Sequence, residues 1–274
     1  MIPATMFRPE ALAGKVVLIT GGASGIGLGI SKFFGQHKAQ IAICSRNGER
    51  LNSAKSALAA LGIRCEVHVC DVRKPQEVEQ MVKSFVRTFG KIDVLINCAA
   101  GNFLLPFSKM SLNAFRTVHE IDTFGTFNVT KAVFTEWMKD HGGAIVNISA
   151  TLHHSGWLMQ VHAGSAKAAI DAMTKHLSVE LGPYGITVNG VAPGIIAGTE
   201  GVERLAPKGT AGPSEYVPIA RLGTPEDVAA VCLFLSQSSY ITGQTVTVDG
   251  GVDNAAGNLP LIDEQVRKAW RAKL

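Results

Sequence analysis

Residues 15–20 read KVVLIT, an apolar, β-branched run without polar alternation, and a glycine-rich turn, GGASGIG at 21–27, follows at once. A strand that lacks alternation is covered on both faces, which points to a parallel sheet with helices above and below it. The rest of the chain repeats this unit. Helical periodicity over 26–37 gives way to a strand-like run at 39–45, then to a helix over 49–61 and a strand over 65–70. Further helices are predicted over 77–89, 115–140 and 165–181 and from near Thr224, and further strands over 94–97, 144–149, 187–192 and 245–249. Strand–helix units in this order predict an α/β fold, a single doubly wound domain over 1–274 with its core at 10–258. One segment breaks the rhythm. Residues 198–219 are rich in Gly, Pro and Ala, and a loop of that length in a compact domain serves as a lid or substrate loop.

Composition narrows the function classes. With 46% hydrophobic and 18% charged residues over 274 positions, the chain can bury a large core and is not disordered. No apolar run approaches the ~20 residues of a membrane helix, so no membrane association is expected. The net charge of +4 is dispersed, which suits phosphorylated small molecules and not a nucleic-acid backbone. Cys44, Cys65, Cys70, Cys98 and Cys232 form no CxxC pair and read as reduced, mostly buried thiols of an intracellular protein. No apolar core follows Arg8, so no signal peptide is expected. Within the tail, 259–274, the last residues are Ala272-Lys273-Leu274. They are either the charged end of a terminal helix or, as we favour, a relative of the SKL address that a peroxisomal import receptor reads.

The glycine-rich turn sits between the first strand and the first helix. Gly21, Gly25 and Gly27 permit a tight turn and close backbone approach, while Ser24 and Ile26 open a helix whose N-terminus stabilises a pyrophosphate. Several glycines at this junction favour a dinucleotide. The second strand ends in Ser45-Arg46, where an acidic residue would select NAD; a hydroxyl and a guanidinium suit the 2′-phosphate of NADP instead. Asp71 ends the third strand and either accepts from an adenine amino group or caps the next helix. Asn97 ends the fourth strand, with small residues after it that let a ligand approach the sheet edge.

TGGASGIG at 20–27, Asp71, NCAAG at 97–101, Lys167 and Pro193-Gly194 together resemble the short-chain dehydrogenase/reductase family over almost the whole chain. The resemblance implies a seven-stranded Rossmann sheet and a homo-oligomer, tetramer or dimer. It also places Lys167 on the nicotinamide ribose and Pro193, Gly194 and Ile196 along the nicotinamide. The departure is as informative. The family's catalytic Tyr lies four residues before the Lys, and Ala163 stands there; its Ser partner falls near Ala150, with Ser149 adjacent. Tyr184, Tyr216 and Tyr240 all lie elsewhere, so carbonyl chemistry that needs a phenol is poorly supported.

Either the chain is a catalytically silent NADP-binding scaffold or it uses another acid. Asp122 and Asp171 favour the second. Asp171 lies one helical turn beyond Lys167 and so shares its face, although a salt bridge to Lys167 or Lys175 would explain it too. Asp122 is either functional or a satisfied polar kink in a buried helix. NCAAGNF at 97–103, Asp122, VHAGSAK at 161–167 and PGIIAGTE at 193–200 resemble the branch of the family that reduces 2,4-dienoyl-CoA in peroxisomes. That resemblance implies NADPH as cofactor, a 2,4-dienoyl-CoA substrate, and Asp122, Asp171 and Lys167 as catalytic residues, with the two carboxylates holding a proton-donating water. A trans-2-enoyl-CoA reductase of the same family is the alternative. Arg73 and Arg204 are candidates for the CoA phosphates. Phe103 either walls the acyl channel or packs in the core, and Ser111 and Asn113 either meet the pantetheine or cap a helix starting near Leu112. His153, His154 and His162 share no regular face and have no acidic ligand pattern, so no metal site is expected.

Overall fold

In the computed structural model, which describes residues 7–199 and 217–255, the apolar runs pair edge to edge. Strands β1 (Val16–Thr20), β2 (Gln40–Ser45), β3 (Cys65–Val69), β4 (Val94–Asn97), β5 (Gly143–Ile148), β6 (Ile186–Pro193) and β7 (Thr245–Val248) form one sheet. Their order is β3-β2-β1-β4-β5-β6-β7 and every pairing is parallel. The order reverses between β1 and β4, which is where an open α/β sheet leaves a crevice at its C-terminal edge.

The two-residue period of a strand sends neighbouring side chains to opposite faces, and two cores result. Val17, Ile19, Ile41, Ile43, Val94 and Ile96 pack on one face against helices α1 (Gly25–Gln36), α2 (Gly48–Ala59) and, at the chain's end, Pro225–Gln237. Leu18, Ala42, Cys44, Leu95 and Ile145 pack on the other, against α3 (Pro75–Phe89) and the helices that follow β4. Because both faces are covered, the central strands β1 and β4 are buried along their whole length, while the edge strands β3 (CEVHV) and β7 (TVTV) alternate with polar residues.

The helix predicted over 115–140 starts earlier and is not uniform. It runs as α4 (Leu112–His119), a π turn (Glu120–Phe124), α5 (Gly125–Val133), a second π turn (Phe134–Met138) and α6 (Lys139–His141). A π turn widens the helix locally and re-aims the side chains it carries. Helix α7 spans Val161–Leu181, starting before the predicted Ser165 and taking in Ala163 and Gly164. Helix α8, Pro225–Gln237, is held by a reciprocal capping box between Thr224 and Asp227. Most of the 198–219 loop lies outside the described residues; its near end is pinned by an isolated parallel bridge between Ile196 and Gly223.

The β1–α1 turn is the tightest part of the fold. Gly21 has φ +67°, and a Cβ there would sit 3.1 Å from the Ala99 backbone. A Cβ on Gly27 would lie 2.3 Å from the Gly21 carbonyl oxygen, closer than any real Cβ contact. The Gly27→Ala variant must therefore open the turn, at an overpacking cost of about 1–3 kcal/mol. We expect a fall in melting temperature of roughly 2–12 °C, from about 2–4 °C per kcal/mol in a domain of this size; thermal denaturation at the parent's temperature would show that the turn opens freely.

Candidate active site

At the crevice, the Thr20 hydroxyl oxygen accepts from the backbone N–H groups of Cys98 (2.9 Å) and Ala99 (3.0 Å), which ties β1 to the loop after β4. Ser24 caps α1 in extended backbone conformation, and its side chain makes no capping bond. The space kept by Gly21 and Gly27, this uncommitted hydroxyl and the helix N-terminus fit a pyrophosphate. Thr199 completes the cradle: it lies 3.7 Å from where a Gly25 Cβ would be, and its hydroxyl donates to the Ile196 carbonyl (2.8 Å). The segment after β6 thus reaches the first helix. Pro193 pairs with Val248, and Gly194 donates to the Val248 carbonyl (3.0 Å) with no room for a side chain against Asp249.

At the end of β2, the Ser45 hydroxyl is engaged with the Asn47 backbone, while Arg46 is exposed. Asp71 and Arg73, assigned separately from the sequence to adenine and to CoA, are joined to each other. The Arg73 guanidinium donates to both Asp71 oxygens, with Nε at 3.0 Å and Nη2 at 2.5 Å, and the Arg73 N–H donates as well (3.1 Å). Nor does Asp71 cap α3, whose first residue is preceded by Lys74. Arg73 holds the Asp71 carboxyl below its usual range, with a smaller contribution from Arg46, so the two arginines share one electrostatic neighbourhood. Arg73, Lys74 and Arg116 line a cleft of about 520 Å³ together with Asp71 and Glu120; Arg73 is paired with Asp71 and Lys74 with Glu77.

Asn97 is turned into the core. Its amide donates to Thr130 (3.0 Å) and Asn147 (2.9 Å), and Asn147 donates in turn to Thr174 (2.9 Å). This buried ladder joins β4, α5, β5 and α7 beneath the crevice, so Asn97 supports the site from below.

The first π turn decides where Asp122 goes. Its Oδ1 accepts from the Gly101 N–H (2.7 Å) and its Oδ2 lies 3.1 Å from Lys167 Nζ. Lys167 also donates to the Ile148 carbonyl at 3.0 Å, and the two residues are only 1% and 7% exposed. Ser149, at the end of β5, donates to the Lys167 carbonyl. Four residues before Lys167, Ala163 packs with Val118, Ala166, Phe103 and Leu152 in a small apolar cluster. The place of a phenol is therefore filled by carbon. Among the described residues, Tyr184 and Tyr240 are exposed elsewhere. Cys98 supplies no thiolate either, since burial pushes its thiol up to about 11.

Asp171 takes neither Lys167 nor Lys175. Its Oδ2 lies 2.8 Å from His153 Nε2, and its Oδ1 accepts from the Thr245 hydroxyl (3.3 Å). Asp122 and Asp171 thus each have their own protein partners, Asp122 the Gly101 N–H and Lys167, Asp171 His153 and Thr245. His154 Nδ1 pairs with Asp253 Oδ2 at 2.6 Å, and the two imidazoles meet edge to face with centroids 4.5 Å apart. The acidic partners that the histidines lack in the local sequence are thus delivered by distant segments. His162 behaves differently: fully buried against Phe103 at 4.5 Å, it is held neutral by desolvation, which lowers its pKa.

Of the remaining substrate candidates, Ser111 accepts from the Ala114 N–H and caps α4, while the Asn113 carbonyl accepts from Thr117. Phe103 joins the Ala163 cluster. Arg204 lies outside the described residues.

The model of the family described as enoyl-(acyl carrier protein) reductase matches residues 21–253. A (3E)-enoyl-CoA-producing peroxisomal 2,4-dienoyl-CoA reductase from Danio rerio is 49% identical over 251 residues, covering 90% of this chain and 84% of that protein. The chain belongs to the short-chain dehydrogenase/reductase family. The protein of the same description from Arabidopsis thaliana is 45% identical over 258 residues, 90% of this chain and 87% of its own length. Among solved structures, a citronellol catabolism dehydrogenase from Pseudomonas aeruginosa PAO1 superimposes with a TM-score of 0.80 at 31% identity, covering 90% of this chain and 98% of that one. The chain is accordingly an oxidoreductase of a family whose reductases bind a nicotinamide cofactor.

A carboxyl whose pKa is depressed in the fold adds stability that is complete above its ordinary value of about 3.9 and is lost as pH falls through the folded value. The Arg73→Gln variant should melt below the parent at pH 7, and the gap should close between about pH 5 and pH 2. Melting curves across that range check it; a gap independent of pH would mean that Arg73 acts through packing alone.

Proposed function

We propose that the chain reduces 2,4-dienoyl-CoA to 3-enoyl-CoA with NADPH in peroxisomes. The observation that carries this reading is Ala163, packed in carbon where a carbonyl reductase needs its phenol, beside an intact Lys167–Asp122 pair. The names of the relatives from Danio rerio and Arabidopsis thaliana support the substrate, the product and the compartment.

The chemistry the bound cofactor would supply is a hydride for Cδ of the diene. Gly21, Ser24, Ile26 and Gly27 would hold the pyrophosphate, Arg46 the 2′-phosphate, and Lys167 the nicotinamide ribose. What the chain must add is a place for negative charge on the thioester oxygen and a proton at Cα. Lys167, held in place 3.1 Å from Asp122, contributes the positive field. The proton comes from solvent held at Asp171, whose carboxylate is oriented by His153 and Thr245; Asp122 acts from the Lys167 side. No phenol is required, because the proton is delivered to carbon and not to a carbonyl oxygen. Arg73, Lys74 and Arg116 offer an anionic CoA a landing surface. Exposed Phe124 (60%) and Phe127 (51%) support a homo-oligomer built on this helix.

NADPH consumption with 2,4-hexadienoyl-CoA and 2,4-decadienoyl-CoA tests the substrate, with crotonyl-CoA and simple ketones beside them. Oxidation with the dienes alone is expected; reduction of crotonyl-CoA at a similar rate would favour a trans-2-enoyl-CoA reductase, and no oxidation at all a silent scaffold. Asp122→Asn and Asp171→Asn should each lower kcat at least ~100-fold while NADPH binding shifts by less than about fivefold. Full activity in both variants would reject the proton route. Arg46→Glu should cost at least a tenfold, about 1.4 kcal/mol, loss in the preference for NADPH over NADH, read from kcat/KM with each cofactor; an unchanged ratio would remove Arg46 from the 2′-phosphate site.

A further inference from the structure

We infer that His153, His154, Asp171 and Asp253 form a binding site for a divalent transition-metal ion of zinc's class. Three segments deliver them: the 3₁₀ turn Thr151–His153 and the residue after it, the middle of α7, and the turn after β7. Ligand atoms of His153, His154 and Asp171 all lie within 4.8 Å of one another, and Asp253 joins through its 2.6 Å contact with His154.

Two imidazoles with two carboxylates is a donor set that suits zinc, whereas calcium and magnesium favour oxygen alone. Zinc bonds of 2.0–2.1 Å in a tetrahedron put donor atoms roughly 3.3 Å apart. The two histidine–carboxylate contacts, at 2.8 and 2.6 Å, would open by about 0.5 and 0.7 Å to reach that spacing, while the other donors, within 4.8 Å of one another, would draw together around the ion.

The donors are positioned without the metal. Asp171 is fixed by its helix and by the Thr245 hydroxyl, and the Asp253 backbone is anchored by its N–H to Asp249 (2.7 Å). The Asp171 carboxylate accepts from His153 Nε2–H and so fixes that tautomer, which leaves His153 Nδ1, buried and without a hydrogen-bond partner among the described residues, as the free lone pair of the ring. The four side chains are between 14% and 27% exposed, which leaves the cluster reachable from solvent. The bound ion would occupy Asp171 and so inhibit reduction. That consequence rests on the proposed role of Asp171; the binding does not.

The test uses the full, untagged, metal-free chain. Titration with Zn2+ by calorimetry should give one ion per chain, and Co2+ should produce the visible absorption of a tetrahedral centre without a thiolate band. The His153→Asn/His154→Asn pair should weaken binding at least ~100-fold, and Asp253→Asn about tenfold, both read against unchanged circular dichroism. Asp253→Asn, on a surface turn, keeps the test decisive if the double variant fails to fold. No binding by the parent, a cobalt–thiolate band, or parental affinity in these variants overturns the site. Binding without inhibition of diene reduction leaves the metal site standing and removes Asp171 from the reaction.

Discussion

The ion pair between Lys167 and Asp122 is the constraint on which the rest of the site depends. Both charges are almost wholly buried, and each is satisfied further, Lys167 by the Ile148 carbonyl and Asp122 by the Gly101 N–H. Removing one partner of such a pair leaves an unpaired buried charge, a loss of about 3–5 kcal/mol, so neither residue can drift independently. The pair therefore clamps four places at once: the end of β5, the loop after β4, the π turn and α7. A regular α-helix would carry Asp122 past this point. The π turn corrects its direction, and the helix gives up regular geometry to make the contact.

Beneath that clamp, a second polar system does work that apolar packing cannot. The Asn97–Asn147–Thr174 ladder crosses the sheet where two strands and two helices meet, with each amide donor satisfied by a side-chain oxygen. The ladder is satisfied on its donor side only, since Asn97 Oδ1 is buried without a partner among the described residues, and that atom carries a desolvation cost. Here the ladder ties β4 to β5 and, through Thr174, to α7, the helix that carries Lys167. The charged clamp and the neutral ladder are complementary: one aims the reactive groups, and the other keeps the strands carrying them in register.

What the sequence made legible follows from range. All seven strands, the capped start of α8 and the glycine turn are governed by nearby residues, and the structure agrees with each to within a residue or two. Lys167 and Asp122 were singled out through the family resemblance, while their pairing with each other across 45 residues of sequence is visible only in the structure. The π turns were not legible, since a one-residue widening of a helix leaves no periodic signal over five residues. The Asp71–Arg73 fork is local but ambiguous, because a guanidinium two residues from a carboxylate serves a ligand equally well until its side chain is placed. The partners of His153 and His154 depend on topology, since Asp171 and Asp253 reach them only once α7 is packed on the sheet and β7 is paired with β6. Thr199 had no signal of its own; its place in the cradle comes from the return of the chain after β6.

Replacing a phenol by packed carbon changes which acids can operate at this crevice. A tyrosine hydroxyl at position 163 would donate to an oxygen held close above Lys167, and that geometry protonates carbonyls. With Ala163 sealed among Val118, Ala166 and Leu152, no side-chain donor stands at that spot, and charge arriving on a substrate oxygen meets only the fixed field of Lys167. Such charge stays delocalised instead of being quenched in place. It can then be neutralised only at another atom of the conjugated system, by an acid located elsewhere along the channel. On the proposed route Asp171 and its histidine partner, one helical turn along α7 from Lys167, supply the proton while Lys167 faces the charge. A conjugated acyl thioester that takes hydride at Cδ carries its charge on the thioester oxygen and on carbon and can be protonated at Cα, whereas a simple ketone that takes hydride becomes an alkoxide, whose charge sits on the one oxygen that a phenol would have to protonate.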